Sequence, residues 1–270
     1  MKIFSIKSDD CNSILAYLIY YENEKRFFIE LPDDADIWET PILLSSFAKR
    51  GIKTINSYWS KIWVQQRIIP TDRQNLGQIL KENKMSNYDE YKLVLITNGR
   101  CEQDDYYIEP LNINDMPSEL IERFEKKIED IVPLGKGEYL IFFCNGKTKL
   151  CELKKHVKLN KKLAILLEAA PQLADCADQM TGGYGISWNE DVSISYSELY
   201  KHGKDIPLSS SDFTRFVQLR VINTSEAAEV LNCTRQYINE LVKKGQLTPI
   251  KASDKNTLFL KSDILKIKWE

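Results

Sequence analysis

The stretch from Val221 to Trp269 constrains the fold more than any other, because helix start and stop signals recur there at short spacing. Asn223-Thr224-Ser225-Glu226 supplies cap residues and a first-turn acid ahead of Ala227, Ala228, Val230 and Leu231, so a helix is predicted to begin near Thr224. Leu231-Asn232-Cys233-Thr234 then places Asn, which tolerates a left-handed backbone, where the chain must turn, with a second cap, Thr234, behind it. In the second helix Ile238, Leu241 and Val242 fall at i, i+3 and i+4 and make an inward stripe, while Arg235, Gln236, Asn239 and Lys243 lie off it. Gly245 stops this helix. Leu247 to Lys251 and Thr257 to Leu260, joined by the polar turn Ser253-Asp254-Lys255-Asn256, predict a hairpin, and Ser262 can cap a last short helix.

These residues resemble the excisionase-like and MerR-like DNA-binding domains. The matching pieces are Thr224-Ser225-Glu226-Ala227-Ala228, the Leu-Asn-Cys-Thr turn, the exit Lys243-Lys244-Gly245-Gln246-Leu247 and the closing Lys261-Ser262-Asp263-Ile264. Asn232 stands where that family has Gly, and Asn is the next-best left-handed residue. The resemblance implies a winged helix-turn-helix that binds double-stranded DNA. Arg235, Gln236 and Asn239 are then expected to read base edges, with Thr234 holding the helix start. Lys243, Lys244, Lys251 and Lys255 are expected on phosphates. One such unit spans too few base pairs for genomic specificity, so a homodimer is expected, its contact supplied by the two domains upstream of residue 211, which are richer in apolar and aromatic residues than the tail. The rival reading is an ordinary helical hairpin with a wing that binds a protein.

The charge distribution agrees with that placement. Residues 1–130 carry 17 Lys+Arg against 23 Asp+Glu, hence −6, and residues 131–270 carry 20 against 16, hence +4, which together give the net −2. An apolar content of 43% and a charged content of 28% are those of a globular chain, and 270 residues suffice for two or three domains. No apolar run approaches the ~18 residues of a membrane span, and Asp9, Asp10 and Glu22 interrupt any signal-peptide pattern, so no membrane partner and a cytoplasmic location are expected. Six scattered cysteines without a C-x-x-C pair read as free buried thiols. His156 and His202 have no Cys or carboxylate at ligand spacing, which disfavours zinc and His-dependent catalysis. No cofactor is expected.

Upstream, Ile14 to Tyr21 and Arg26 to Leu31 predict a hairpin, and Pro41 to Arg50 predicts a helix stopped by Gly51. Trp59, Ile62, Trp63 and Ile68 are core candidates, Leu76 to Leu80 a helix, and Lys92 to Thr97 a buried strand. A charged helix opens at Asp115-Met116-Pro117-Ser118, with Leu120, Ile121, Phe124 and Ile128 facing inward. Arg67, Asp72, Arg73, Asp104 and Asp105 are raw material for an acid or metal site, but no diagnostic spacing joins them, and surface ion pairs are the better reading.

Glu138 to Cys144 reads as a strand, Asn145-Gly146 as a type I′ turn, Lys147 to Leu153 as its return, and Leu159 to Ala170 as a helix halted by Pro171. Gly182-Gly183-Tyr184-Gly185-Ile186-Ser187-Trp188, followed by Glu198-Leu199-Tyr200-Lys201-His202-Gly203, resembles a small bacterial α+β family of unknown function, numbered 2442. That resemblance covers residues 131–205 and implies a fold without an activity. The glycines lack the Lys-Ser/Thr of a phosphate loop and read as a tight turn before a strand. Seven lysines between Lys147 and Lys162 make either a phosphate-facing patch or, better, a solvated edge.

The chain is therefore expected to be α+β and multi-domain: residues 1–130, residues 131–210 and a helix-turn-helix at 211–270, with a boundary in the polar run Leu208 to Asp212. A DNA-binding transcriptional regulator is the leading reading, with no enzymatic activity. Its rival is an antitoxin-like or phage-accessory protein that binds a protein partner through residues 1–210 and autoregulates. An enzyme in residues 1–130 is the weakest reading.

Overall fold

The computed structural model describes residues 1–158, 160–253 and 256–269; Lys255, predicted on a phosphate, lies outside them, as does Leu159. The chain is α+β. It opens with β1 (Lys2–Ser8), β2 (Cys11–Tyr21) and β3 (Arg26–Glu30), joined as consecutive antiparallel pairs. Helix α1 (Ile42–Ala48), strand β4 (Thr54–Ile55) and helices α2 (Ser57–Gln65), α3 (Leu76–Glu82) and α4 (Glu90–Ile96) follow, and β5 (Tyr106–Pro110) returns to pair with β1. The resulting sheet has the order β4-β3-β2-β1-β5.

Both faces of this sheet are buried, which is why β2 and β3 read as nearly unbroken apolar runs rather than as alternation. On one face Phe4, Ile6, Leu18, Phe27 and Ile29 pack against Leu44 and Phe47 of α1, Trp63 and Val64 of α2, and Leu93 and Val94 of α4. Ile3, Tyr17, Ile19 and Phe28 line the other face.

That second face meets the middle of the chain. Helix α5 (Ser118–Glu125) leads into β6 (Ile128–Gly135), β7 (Glu138–Phe143) and β8 (Thr148–Glu152), then α6 (Leu153–Val157), α7 (Lys161–Ala169), β9 (Asp178–Gln179), β10 (Gly185–Ser187), β11 (Ser193–Ser195), α8 (Tyr196–His202) and β12 (Lys204–Ile206). These strands form a sheet β12-β8-β7-β6 and a smaller one, β11-β10-β9. Tyr139, Ile141, Phe143, Tyr184, Ile186 and Leu199 belong to the same buried cluster as Ile19 and Phe28. Residue 130 lies inside β6, so the boundary expected there does not separate two cores.

The seam between these segments carries charge. The Glu30 carboxylate, fully buried, accepts from Arg123 at 3.0 Å and from the Thr54 hydroxyl at 2.8 Å. The ammonium of buried Lys127 sits over the rings of Phe124 and Tyr184, 3.3 and 3.7 Å from their centroids, and Tyr184 stacks on Phe28 at 3.8 Å. Burial raises the Glu30 pKa and pulls Lys127 down to about 7.

Six local readings are corrected. Lys92 to Thr97 is helical, because the Asp89 side chain caps the Lys92 N–H and starts a helix over the apolar run. The charged helix ends at Glu125, leaving Ile121 exposed and Ile128 in β6. Trp59 is partly exposed although Trp63 is core. Of the six cysteines expected as buried thiols only Cys151 is buried, and Cys144 and Cys176 are exposed. At Asn145-Gly146 only the glycine has positive φ; Gly146 N–H donates to Phe143 O, Phe143 N–H to Lys147 O, and a three-residue loop replaces the type I′ turn. Ser210 to Asp212, placed in a linker, begin a helix because Ser209 and Asp212 form a capping box.

That helix, α9 (Ser210–Arg220), leads into β13 (Val221–Asn223), α10 (Thr224–Leu231), α11 (Arg235–Lys243), β14 (Lys251–Ala252), β15 (Thr257–Leu260) and α12 (Lys261–Trp269). The strands form a small antiparallel sheet ordered β13-β15-β14. Strand β13 has no counterpart in the sequence reading, and the arm predicted from Leu247 pairs only at Lys251–Ala252. Ile222, Ala227, Ala228, Ile238, Leu241, Leu247, Phe259 and Ile264 make a core cluster drawn wholly from this C-terminal stretch.

Candidate nucleic-acid interface

Helices α10 and α11 each start on a side-chain cap and end on a left-handed residue. Asn223 Oδ1 accepts from the N–H groups of Ser225 and Glu226, and Glu226 accepts in return from Asn223 N–H at 2.8 Å, so α10 begins on a reciprocal cap. It ends on Asn232, whose φ of 52° and ψ of 48° are left-handed, and the Cys233 N–H closes back on Ala228 O at 2.9 Å. The turn thus needs only one left-handed residue, and Asn fills it. Thr234 accepts from Tyr237 N–H at 3.3 Å and starts α11. Gly245, at φ 70°, ends it, with Gln246 N–H returning to Leu241 O.

Helix α11 divides cleanly. Ile238 and Leu241 are buried and Val242 packs partly behind them. At ~100° per residue, Arg235, Gln236, Asn239 and Lys243 fall within an arc of about 100° whose middle is turned about 140° from the mean direction of Ile238 and Leu241. All four are exposed, as are Thr234 and Lys244. Among the described residues the ion pair in this stretch is Lys266 to Asp263 at 2.9 Å, and none engages Arg235, Lys243, Lys244 or Lys251. Fixed backbone under unpaired donors is an arrangement that can meet base edges and phosphates.

Lys251 stands in β14 opposite Leu258, exposed at the base of the turn that Ser253 and Asn256 close with reciprocal bonds. Tyr237 and Glu240 are also exposed on α11 and were not among the expected contacts. Glu240 lies only about 40° beyond Gln236 around the helix, which was the available signal; Tyr237 lies about 100° beyond it and gave none.

The other candidates do not assemble. Arg67 is buried, pairs with Asp104 at 2.7 Å and lies 4.0 Å over the Trp63 ring, a structural tie rather than a convergent acid site. Among the described residues no group of His, Cys, Asp and Glu could hold a metal. The lysine run is broken up, with Lys149 on Asp205 at 2.8 Å, Lys155 on Glu152 at 3.0 Å and Lys162 on Asp191 at 3.6 Å. Gly182 and Gly183 turn at φ 65° and 72° directly before β10, with no helix following to receive a phosphate. No described helix is long and apolar enough to cross a membrane. Comparison with known proteins adds nothing to this geometry: no family model, curated protein or solved structure matches the chain.

Proposed function

We propose that the chain is a double-stranded DNA-binding regulator whose residues 221–269 act as a winged helix-turn-helix, with α11 as the recognition helix. One observation carries the reading: Arg235, Gln236, Asn239 and Lys243 share one exposed, unpaired face of a helix that is capped at both ends and seated on its own core. Arg gripping guanine, or Gln and Asn gripping adenine, is worth ~1–3 kcal/mol of discrimination per base pair. Lys243 and Lys244 at the helix exit and Lys251 in the β14–β15 hairpin supply backbone contacts on either side.

The test begins with selection of bound duplexes from a genomic pool by the full-length protein. Arg235→Ala is then measured on the selected and a scrambled duplex at one salt concentration. The reading expects affinity to fall roughly tenfold or more on the selected duplex and little on the scrambled one. Equal losses reduce Arg235 to a phosphate contact, and no loss on either removes α11 as the recognition helix.

A further inference from the structure

Helix α9 presents a problem that the fold does not solve internally. Every residue from Ser211 to Arg220 is exposed, and Phe213, Phe216, Val217 and Leu219 remain 45%, 51%, 38% and 57% accessible. Its aromatic tie to the body is Phe213 against Phe142, with centroids 5.8 Å apart. An isolated helix of this length is marginal in water, so its amphipathic face needs a partner to hold it. Four large apolar side chains standing in solvent on one short helix mark an interaction surface.

The side chains around Phe216 identify the partner. At ~1.5 Å rise and ~100° per residue, Asp212 and Arg220 lie about 6 Å to either side of Phe216 and within about 40° of its direction. Phe213 and Leu219 lie about 4.5 Å to either side and within about 60°. The face is therefore self-complementary under reversal: apolar meets apolar and acid meets base when a second α9 runs antiparallel across it. Arg220 has no ion pair among the described residues. Asp212 accepts from Ser209 N–H and Oγ through Oδ2 alone, which leaves Oδ1 for a further donor.

We infer that two copies of this chain pair through α9, antiparallel about a two-fold axis at Phe216, with Asp212 of each copy against Arg220 of the other. An isologous contact of this kind closes on itself and stops at two. A pair of eleven-residue helices buries less than a standard interface, so the dimer is weak and reversible. The pairing is argued from α9 alone. Its consequence for DNA, that two copies of α11 are presented together, rests on the function proposed above.

The full-length protein, without DNA, is followed by sedimentation equilibrium from micromolar to sub-millimolar concentration. A reversible monomer–dimer equilibrium is expected. Phe216→Glu should raise the dissociation constant roughly tenfold or more while leaving far-ultraviolet circular dichroism and tryptophan fluorescence unchanged, because residue 216 is exposed. Asp212→Arg and Arg220→Asp should each weaken pairing, and their equimolar mixture should recover it, since only the mixed dimer restores both ion pairs. A wild-type monomer throughout the range overturns the inference. So does a Phe216→Glu chain that dimerises as tightly as wild type, or a mixture no tighter than its components. None of these outcomes depends on DNA, so they leave the function proposed above to its own test.

Discussion

Gly183→Ala should be the most damaging small substitution in the chain outside its aromatic core. Gly183 sits at φ +72°, and a Cβ there would overlap the Ile128 carbonyl oxygen and lie 2.9 Å from the Ile128 nitrogen. Left-handed backbone costs a non-glycine residue ~1–2 kcal/mol by itself. The overlap adds more, because Ile128 begins β6 and is buried in the cluster that joins the two upstream segments, so backbone rather than a flexible side chain must give way. Overpacking of that kind costs a further ~1–3 kcal/mol, for a total of about 2–5. Gly146→Ala separates the two terms, since Gly146 has φ +77° but open space around it and should lose only the conformational part, ~1–2 kcal/mol. Urea unfolding followed by tryptophan fluorescence measures the difference, since Trp38, Trp59, Trp63 and Trp188 all lie upstream of α9. If Gly183→Ala unfolds within about 1 kcal/mol of Gly146→Ala, the close approach of the glycine turn to β6 is not what holds this seam.

Two further outcomes are expected. Lys127, pulled from 10.5 to about 7 by burial, releases its proton in the folded state while the unfolded chain still holds one, so stability rises with pH between about 7 and 10.5. Lys127→Met lacks this ionisation and keeps the contacts with Phe124 and Tyr184, so its advantage over wild type should be largest below about pH 7 and shrink towards pH 10; parallel urea midpoints across that window would refute it. Lys243→Ala, Lys244→Ala and Lys251→Ala should each lower the slope of log affinity against log salt by roughly one on selected and scrambled duplexes alike, and three unchanged slopes would count against the docking.

The C-terminal stretch was legible because its signals are local. Caps at Asn223 and Thr234, a left-handed residue at Asn232 and a terminating Gly245 each act within four residues, and each is found where the sequence predicts it. The upstream core was less legible because its decisive contacts are remote. Nothing near Glu30 announces Arg123 or Lys127, and nothing near Gly183 announces Ile128. A boundary at residue 130 followed naturally from a charged helix and a new strand, whereas the packing continues through it. The apolar run at Lys92 to Thr97 satisfied both periods, and the deciding signal, the Asp89 cap, lay just outside it. Strand β13 is three residues long and exists by pairing with β15, so only the fold could reveal it.

That short strand links the two proposals mechanically. Val221 caps α9, its N–H bonding Val217 O, and is also the first residue of β13, which pairs Val221 with Leu260 and Asn223 with Leu258. Leu258 pairs on its other side with Lys251, so the hydrogen-bonded path from α9 to the hairpin has no flexible break. Asn223 ends β13 and caps α10, whose Ala227 and Ala228 share a core with Ile238 and Leu241 of α11. A two-fold pairing of α9 would therefore fix the separation and mutual angle of two recognition faces, rather than merely tether them. Half-site spacing would then be a property of residues 209–223, and a protein or ligand that occupied the Phe216 face would release the two copies without touching α11.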